Sequence, residues 1–276
     1  MVLLLALVAA GTMALMRWSP GYFADAREMD SRYAGDARAE LQAEQAQEGS
    51  WRVLAVNTVN GWRHGDFGMS REYEVPVRDL VVPRLAVTAS LLARGVGCGW
   101  MLAFCAALPL STARGWAALL GAPLTLLLAV PTGVMATLCL LWNHGGPAVV
   151  LTLLLASRDF KFLLRVLREA WNAPHLIAAR GQGLRVHQLG RVHVLRNVLP
   201  RMAALATMSL VTALSAIVPI EVIFDVPGVG QLAWTAAMNR DLPVLLAVTL
   251  LLAVTMALAG MLTQGVRGYT ASVETA

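Results

Sequence analysis

The chain has 276 residues, of which 57% are apolar and 14% charged, with a formal net charge of +5. So little charge argues against an ordinary soluble domain and suits a polytopic membrane protein. Nor does the basic excess mark a nucleic-acid binder: 21 of the 22 basic residues are Arg, and nine lie between Arg158 and Arg201 amid apolar stretches, opposed only by Asp159 and Glu169.

A membrane-spanning helix needs about 20 apolar residues. The first apolar run, Met1 to Met16, is short. It reads either as a retained first span or as a signal peptide. Ala24-Asp25-Ala26 resembles a cleavage site, but no positive charge precedes the run. Ser19-Pro20-Gly21 is a turn signal. Ala24 to Glu48 is rich in Ala, Glu, Gln and Arg, lacks Pro, and predicts a solvated helix ended by Gly49. A Gly-punctuated loop follows from Trp62 to Ser70, then Val75 to Leu80 leads into the second span. That span, Leu85 to Leu110, carries one charge, Arg94. Gly95, Gly97 and Gly99 in it permit close helix approach. Trp116 to Trp142 is uncharged with a Trp at each end, as expected of interfacial anchors. Gly145 to Ser157 reads as a fourth span whose polar end runs on through Arg158, Asp159 and Lys161, the long basic stems snorkelling. Met202 to Ile220 is the fifth span, opened by Pro200. Leu242 to Val266 is the sixth.

The Arg-rich stretch between spans four and five marks the cytoplasmic side. The loop from Arg17 to Arg84 is long enough to cross regardless of its charge. Six spans with both termini cytoplasmic satisfy these constraints. The expected organisation is a first helix with a long external loop over 1–84, and a transmembrane core over 85–276 with a cytoplasmic loop at about 172–199. Cys98, Cys105 and Cys139 fall within spans and read as buried, reduced thiols. His187 and His193 are six apart, which is not metal-ligand spacing on a helix. The sequence predicts no metal site and no catalytic residue. Arg94 is costly against lipid and is expected to face the bundle, a partner subunit or an interface, with a substrate contact as the lesser alternative.

The loop reads Ala178-Ala179-Arg180-Gly181-Gln182-Gly183-Leu184, then His193-Val194-Leu195-Arg196-Asn197-Val198-Leu199-Pro200. After the fifth span stands Glu221-Val222-Ile223-Phe224-Asp225-Val226-Pro227-Gly228-Val229-Gly230-Gln231-Leu232, then Asn239-Arg240-Asp241-Leu242-Pro243-Val244. Gly65-Asp66-Phe67-Gly68, Ser70 and Pro76-Val77 form a further pattern ahead of the second span. These strings resemble the membrane subunits of dipeptide, oligopeptide and nickel ABC importers. His175 takes an aromatic position of the family pattern, Gly181 replaces Ala, Gln182 replaces Lys, and Leu242 replaces Tyr. Residues 24–50 match nothing in the pattern.

The resemblance implies an all-α inner-membrane permease of about six transmembrane helices with a cytoplasmic coupling helix. It implies half of a translocation pathway for peptides, with nickel or another small solute as the alternative cargo. Ala178, Ala179, Arg180, Gly183, Leu184, His193, Asn197 and Pro200 would couple the chain to an ATPase. Glu221, Phe224, Pro227, Gly228, Gly230, Arg240 and Asp241 would form an external gate segment, although Glu221 also reads as a solvated boundary residue. The chain contains no Gly-x-x-x-x-Gly-Lys-Ser/Thr string, so ATP and Mg would be used by a partner and this chain would bind no cofactor. Expected partners are a second, distinct permease, two ATP-binding subunits, an extracytoplasmic substrate-binding protein and membrane lipid, without nucleic acid. A non-transport membrane scaffold is the competing class. An intramembrane enzyme would need paired Asp, a His-Glu-x-x-His or a Ser/His pair at depth, and none is present.

Overall fold

The computed structural model describes residues 7–8, 10–12, 14, 60–61, 66–112, 122–123, 126–142, 146–173 and 194–275. The expected helix over 24–48 and the loop over 174–193 lie outside them. Among the described residues six helices of ten residues or more follow in chain order: α1 Val77–Thr112, α2 Thr132–Leu141, α3 Pro147–Trp171, α4 Leu195–Ile223, α5 Val229–Met238 and α6 Leu242–Thr275. The described residues contain no strand, only one isolated antiparallel bridge between Met69 and Pro76. Residues 7–8, 10–12 and 14 are helical. The fold is all-α.

Among the described residues, three stretches are long and apolar enough to cross a membrane: Val77–Thr112, Val198–Ile223 and Leu242–Leu262. At 1.5 Å per residue the first is about 54 Å long, well beyond a hydrocarbon core of about 30 Å. It begins in the segment that the hydropathy pattern leaves to the external loop. The uncharged stretch from Trp116 to Trp142 is interrupted in its described part: Val130 bends, Pro131 is extended, and α2 starts at Thr132. Pro200 does not open α4, as the sequence suggests. Together with Pro219 it lies inside the helix. A membrane helix tolerates this because neighbouring helices can re-satisfy the freed backbone groups.

The chain divides into two compact units. One comprises Ala86–Gln231 with Thr255–Ala276, the other Met1–Leu85 with Leu232–Val254. In the first, α3 starts from Gly146 with Pro147 in its first turn, where the missing N–H is harmless. Its buried face repeats every fourth residue through Leu151, Leu155, Asp159, Leu163, Leu167 and Trp171. Asp159 therefore does not belong to a solvated helix end, although Arg158 and Lys161 flank it. It is fully buried and accepts a hydrogen bond from Ser209 Oγ of α4 at 2.7 Å. The register shared with Leu155 and Leu163 carried that signal. One apolar cluster gathers Ala103, Ala107, Phe160, Leu163, Leu167 and Leu205. Another gathers Leu91, Met135, Leu151, Leu155, Ala213 and Ile217. Trp171 Nε1 donates to Ser111 Oγ at 3.0 Å, tying the end of α3 to the end of α1.

Small residues let α1 approach α3. A Cβ at Gly95 would overlap the Leu151 side chain, and one at Gly99 would lie 3.0 Å from Leu155 Cβ and 3.2 Å from Thr152 O. Gly97 has no such role, because nothing stands within 4 Å of its would-be Cβ. Cys98 and Cys105 share a helix face, but that face is exposed rather than buried.

Candidate functional site

Within the first unit, α4 ends in a Schellman motif. Val226 N–H donates to Glu221 O at 2.9 Å and Asp225 N–H to Val222 O at 3.3 Å. Asp225 takes the left-handed conformation that glycine usually fills, with φ 51°. Its side chain accepts from Gln231 Nε2 at 2.5 Å, which ties the left-handed residue to the start of α5. Pro227 and Gly228 then separate α4 from α5, as the sequence predicts. Gly230 instead lies in the first turn of α5.

Glu221 organises this turn. It is fully buried rather than solvated. Its Oε2 accepts the backbone N–H of Gly230 at 2.7 Å and of Gln231 at 3.2 Å. Its Oε1 accepts from Thr88 Oγ1 of α1 at 2.6 Å. Thr88 Oγ1 in turn accepts from Val229 N–H at 2.8 Å. The first N–H groups of a helix have no intrahelical partner. Three of those of α5 are satisfied here by one carboxyl group and one hydroxyl. A carboxyl at a helix N-terminus also complements its dipole. The close fit requires glycine. A Cβ at Gly228 would overlap the Glu221 carboxyl atoms, and one at Gly230 would lie 2.8 Å from Val218 Cα.

The second unit holds another polar junction. α5 ends in a Schellman motif like that of α4: Asp241 N–H donates to Ala236 O at 2.8 Å, with Arg240 left-handed at φ 57°. Asp241 then caps α6. Its carbonyl accepts from Leu245 N–H at 2.9 Å and its Oδ1 from Val244 N–H at 3.4 Å. Its Oδ2 accepts from Ser70 Oγ in a short hydrogen bond and from Glu72 N–H at 3.4 Å. Ser70 belongs to a tight loop closed by Ser70 N–H to Val75 O at 2.9 Å and Val77 N–H to Gly68 O at 3.0 Å. Gly68 sits at φ 82°, where a side chain is strained. The structure thus joins two motifs 171 residues apart, the Gly-Asp-Phe-Gly-x-Ser string and the Asn-Arg-Asp string.

This junction makes a prediction. Asp241→Ala removes a helix cap and a buried acceptor, and should destabilise by about 1–3 kcal/mol. Ser70→Ala should cost less alone. In a double-mutant cycle read by thermal unfolding in detergent, the two should couple by at least about 0.5 kcal/mol. Strict additivity would mean that the Ser70–Asp241 bond does not hold the loop.

Of the residues expected to meet an ATPase, Ala178, Ala179, Arg180, Gly183, Leu184 and His193 lie outside the described residues. Asn197 and Pro200 lie in α4. Phe224 caps α4. Among the described residues no cluster of His, Cys, Asp and Glu could hold a metal. The sequence reading missed Thr88 and Ser70 as partners of the two acids. Thr88 stands in no motif, Ser70 closes the Gly-Asp-Phe-Gly-x-Ser string, and both pairings are reached only through tertiary contact.

Residues 95–271 match the family described as binding-protein-dependent transport system inner membrane component. The chain belongs to this family. It is a multi-pass membrane protein of the permease type. It is 28% identical over 212 residues to the dipeptide transport system permease protein DppB of Lactococcus lactis, with 69% of each chain covered. It is 28% identical over 210 residues to the oligopeptide transport system permease protein OppB of Escherichia coli, covering 68% of this chain and 69% of the relative. It is also 34% identical over 108 residues to the metal-staphylopine import system permease protein CntB of Staphylococcus aureus, covering 39% of this chain. There the chain spans about a third of the relative, 34% of its length.

Proposed function

We propose that this permease is one half of the translocation pathway of an ATP-driven importer for peptides. The observation that carries the reading is its likeness, over about two-thirds of each chain, to permeases named for dipeptide and oligopeptide transport. A second, distinct permease completes the pathway, two separate ATP-binding subunits use ATP and Mg, and an extracytoplasmic binding protein delivers the peptide. Both termini and the loop at 172–199 are cytoplasmic, and Glu221 to Asp241 is external. Ala178, Ala179, Arg180, Gly183, Leu184, His193, Asn197 and Pro200 form the coupling element. Glu221, Phe224, Pro227, Gly228, Gly230, Arg240 and Asp241 form the external gate segment. The Glu221 cradle supports that role, because it fixes the turn between α4 and α5 without a continuous helix.

ATP-dependent uptake of labelled di- and oligopeptides into proteoliposomes holding the purified complex tests the reading. Uptake of none of them would overturn it. The likeness to CntB favours one other cargo, a chelated metal. Uptake of radioactive nickel with a chelator, uncompeted by peptide, would establish that cargo instead.

Two further outcomes are expected. Gly183→Val should lower transport-coupled ATP hydrolysis about tenfold, the scale of a coupling energy, while insertion stays normal. Unchanged coupling would remove the docking role. A cysteine placed at Gln231 should react with an impermeant thiol reagent from outside the cell, and labelling only from the cytoplasmic side would reverse the topology.

A further inference from the structure

α1 buries one face against its neighbours and leaves the opposite face uncovered. The buried face carries Gly95, Gly99, Ala103 and Ala107. The uncovered face carries Ser90, Arg94, Gly97, Cys98, Met101 and Cys105, with Leu108 towards its end, all exposed. From Ser90 to Cys98 it holds no large aliphatic side chain, unlike a lipid-facing surface. The exposed large residues of α2, by contrast, are Val134, Leu138, Leu140 and Leu141. Ser90 and Arg94 gain nothing from hydrocarbon, and Gly97 offers it no side chain.

Arg94 sharpens the contrast. It lies roughly 14 Å along the helix from Leu85, near the middle of a core about 30 Å thick. An Arg is charged at every accessible pH. At that depth it faces a water-filled cavity or a counter-charge rather than lipid. In this chain its guanidinium folds back on its own helix. Nε donates to Ser90 O at 3.1 Å and Nη2 to Ser90 Oγ at 3.2 Å. A guanidinium has five N–H donors in a planar fork matched to a carboxylate. Gly97, one turn on, leaves open space beside it.

We propose that this face of α1 lines the translocation pathway and that Arg94 binds the carboxylate of a passing peptide. The proposal rests on the peptide-import reading above. A free peptide always carries a terminal carboxylate, whatever its side chains, so one fixed cation near the midplane serves a varied cargo. Arg94 can exchange its bonds to Ser90 for the carboxylate, and return to Ser90 when the peptide leaves.

The test uses the complete complex with Cys105 and Cys139 replaced by serine. Cys98 lies one turn from Arg94 on the same face. It should react with a charged, water-soluble methanethiosulfonate, and saturating dipeptide should slow that reaction about tenfold or more, as occupancy of a shared site requires. Arg94→Gln should lower uptake of a dipeptide with a free carboxylate on the order of thirty-fold. The same dipeptide with an amidated C-terminus should be carried equally by the parent and the variant. Arg94→Lys should restore part of the loss. An unreactive Cys98 in a complex that imports peptide would overturn this inference alone. So would an equal loss for both dipeptides, the result expected if Arg94 pairs with an acid of the partner permease. A parent complex that imports no peptide would overturn the functional reading, and the carboxylate contact with it.

Discussion

Replacing Glu221 by alanine is expected to cost about 3–5 kcal/mol, enough to unfold a marginal membrane domain. The magnitude follows from what is left behind. Thr88 Oγ1 and the N–H groups of Gly230 and Gln231 all donate to this carboxyl, and the site is fully buried. Each buried donor left without a partner costs about 1–3 kcal/mol. Glu221→Gln should be milder, because an amide still offers one acceptor oxygen and can donate towards Thr88. Gly228→Ala breaks the same cradle from the other side, since its new methyl would overlap the carboxyl. The two changes should not add. With Glu221 already truncated, the methyl has room, and Gly228→Ala should cost less than in the parent. Thermal unfolding of the purified protein in detergent reads all four variants. A silent Glu221→Ala, or strict additivity with Gly228→Ala, would show that the turn is held by something else.

A second large effect is expected in the packing of α1 on α3. Gly95→Ala should destabilise by about 2–3 kcal/mol, although alanine is the better helix former. The new methyl would meet Leu151 along its whole stem, with Cβ at 2.8 Å. A rotamer change moves only the far end of a leucine, so the α3 backbone must shift. Gly97→Ala, two residues away, is the matched control. No atom stands within 4 Å of its would-be Cβ, so it should leave stability unchanged or raise it by up to about 1 kcal/mol through helix propensity. Equal effects at the two positions would mean that α1 and α3 do not approach as closely as described.

Both effects depend on distances that no local pattern encodes. The sequence alone determined the class of the molecule. Backbone polar groups inside a bilayer must be satisfied within the protein, and uninterrupted apolar stretches of about 20 residues do this as helices. An all-α membrane protein follows, and the family matched over residues 95–271 agrees with it. The Pro227-Gly228 break and the string from Glu221 to Leu232 were equally legible, because proline and glycine punctuate helices by local sterics. Hydropathy could not decide where helices begin. α1 runs on past the apolar stretch to Val77, and α4 starts before Pro200, since backbone bonding continues where apolar character stops. Tertiary structure alone decided what each polar residue does. Glu221 reads as a boundary residue, and Asp241 only as part of a motif, until Thr88 and Ser70 arrive from elsewhere in the chain. Gly95 and Gly97 are alike in sequence, yet only one points at a neighbour. Burial and pairing belong to the far side of a contact, and the chain does not carry that information at the residue itself.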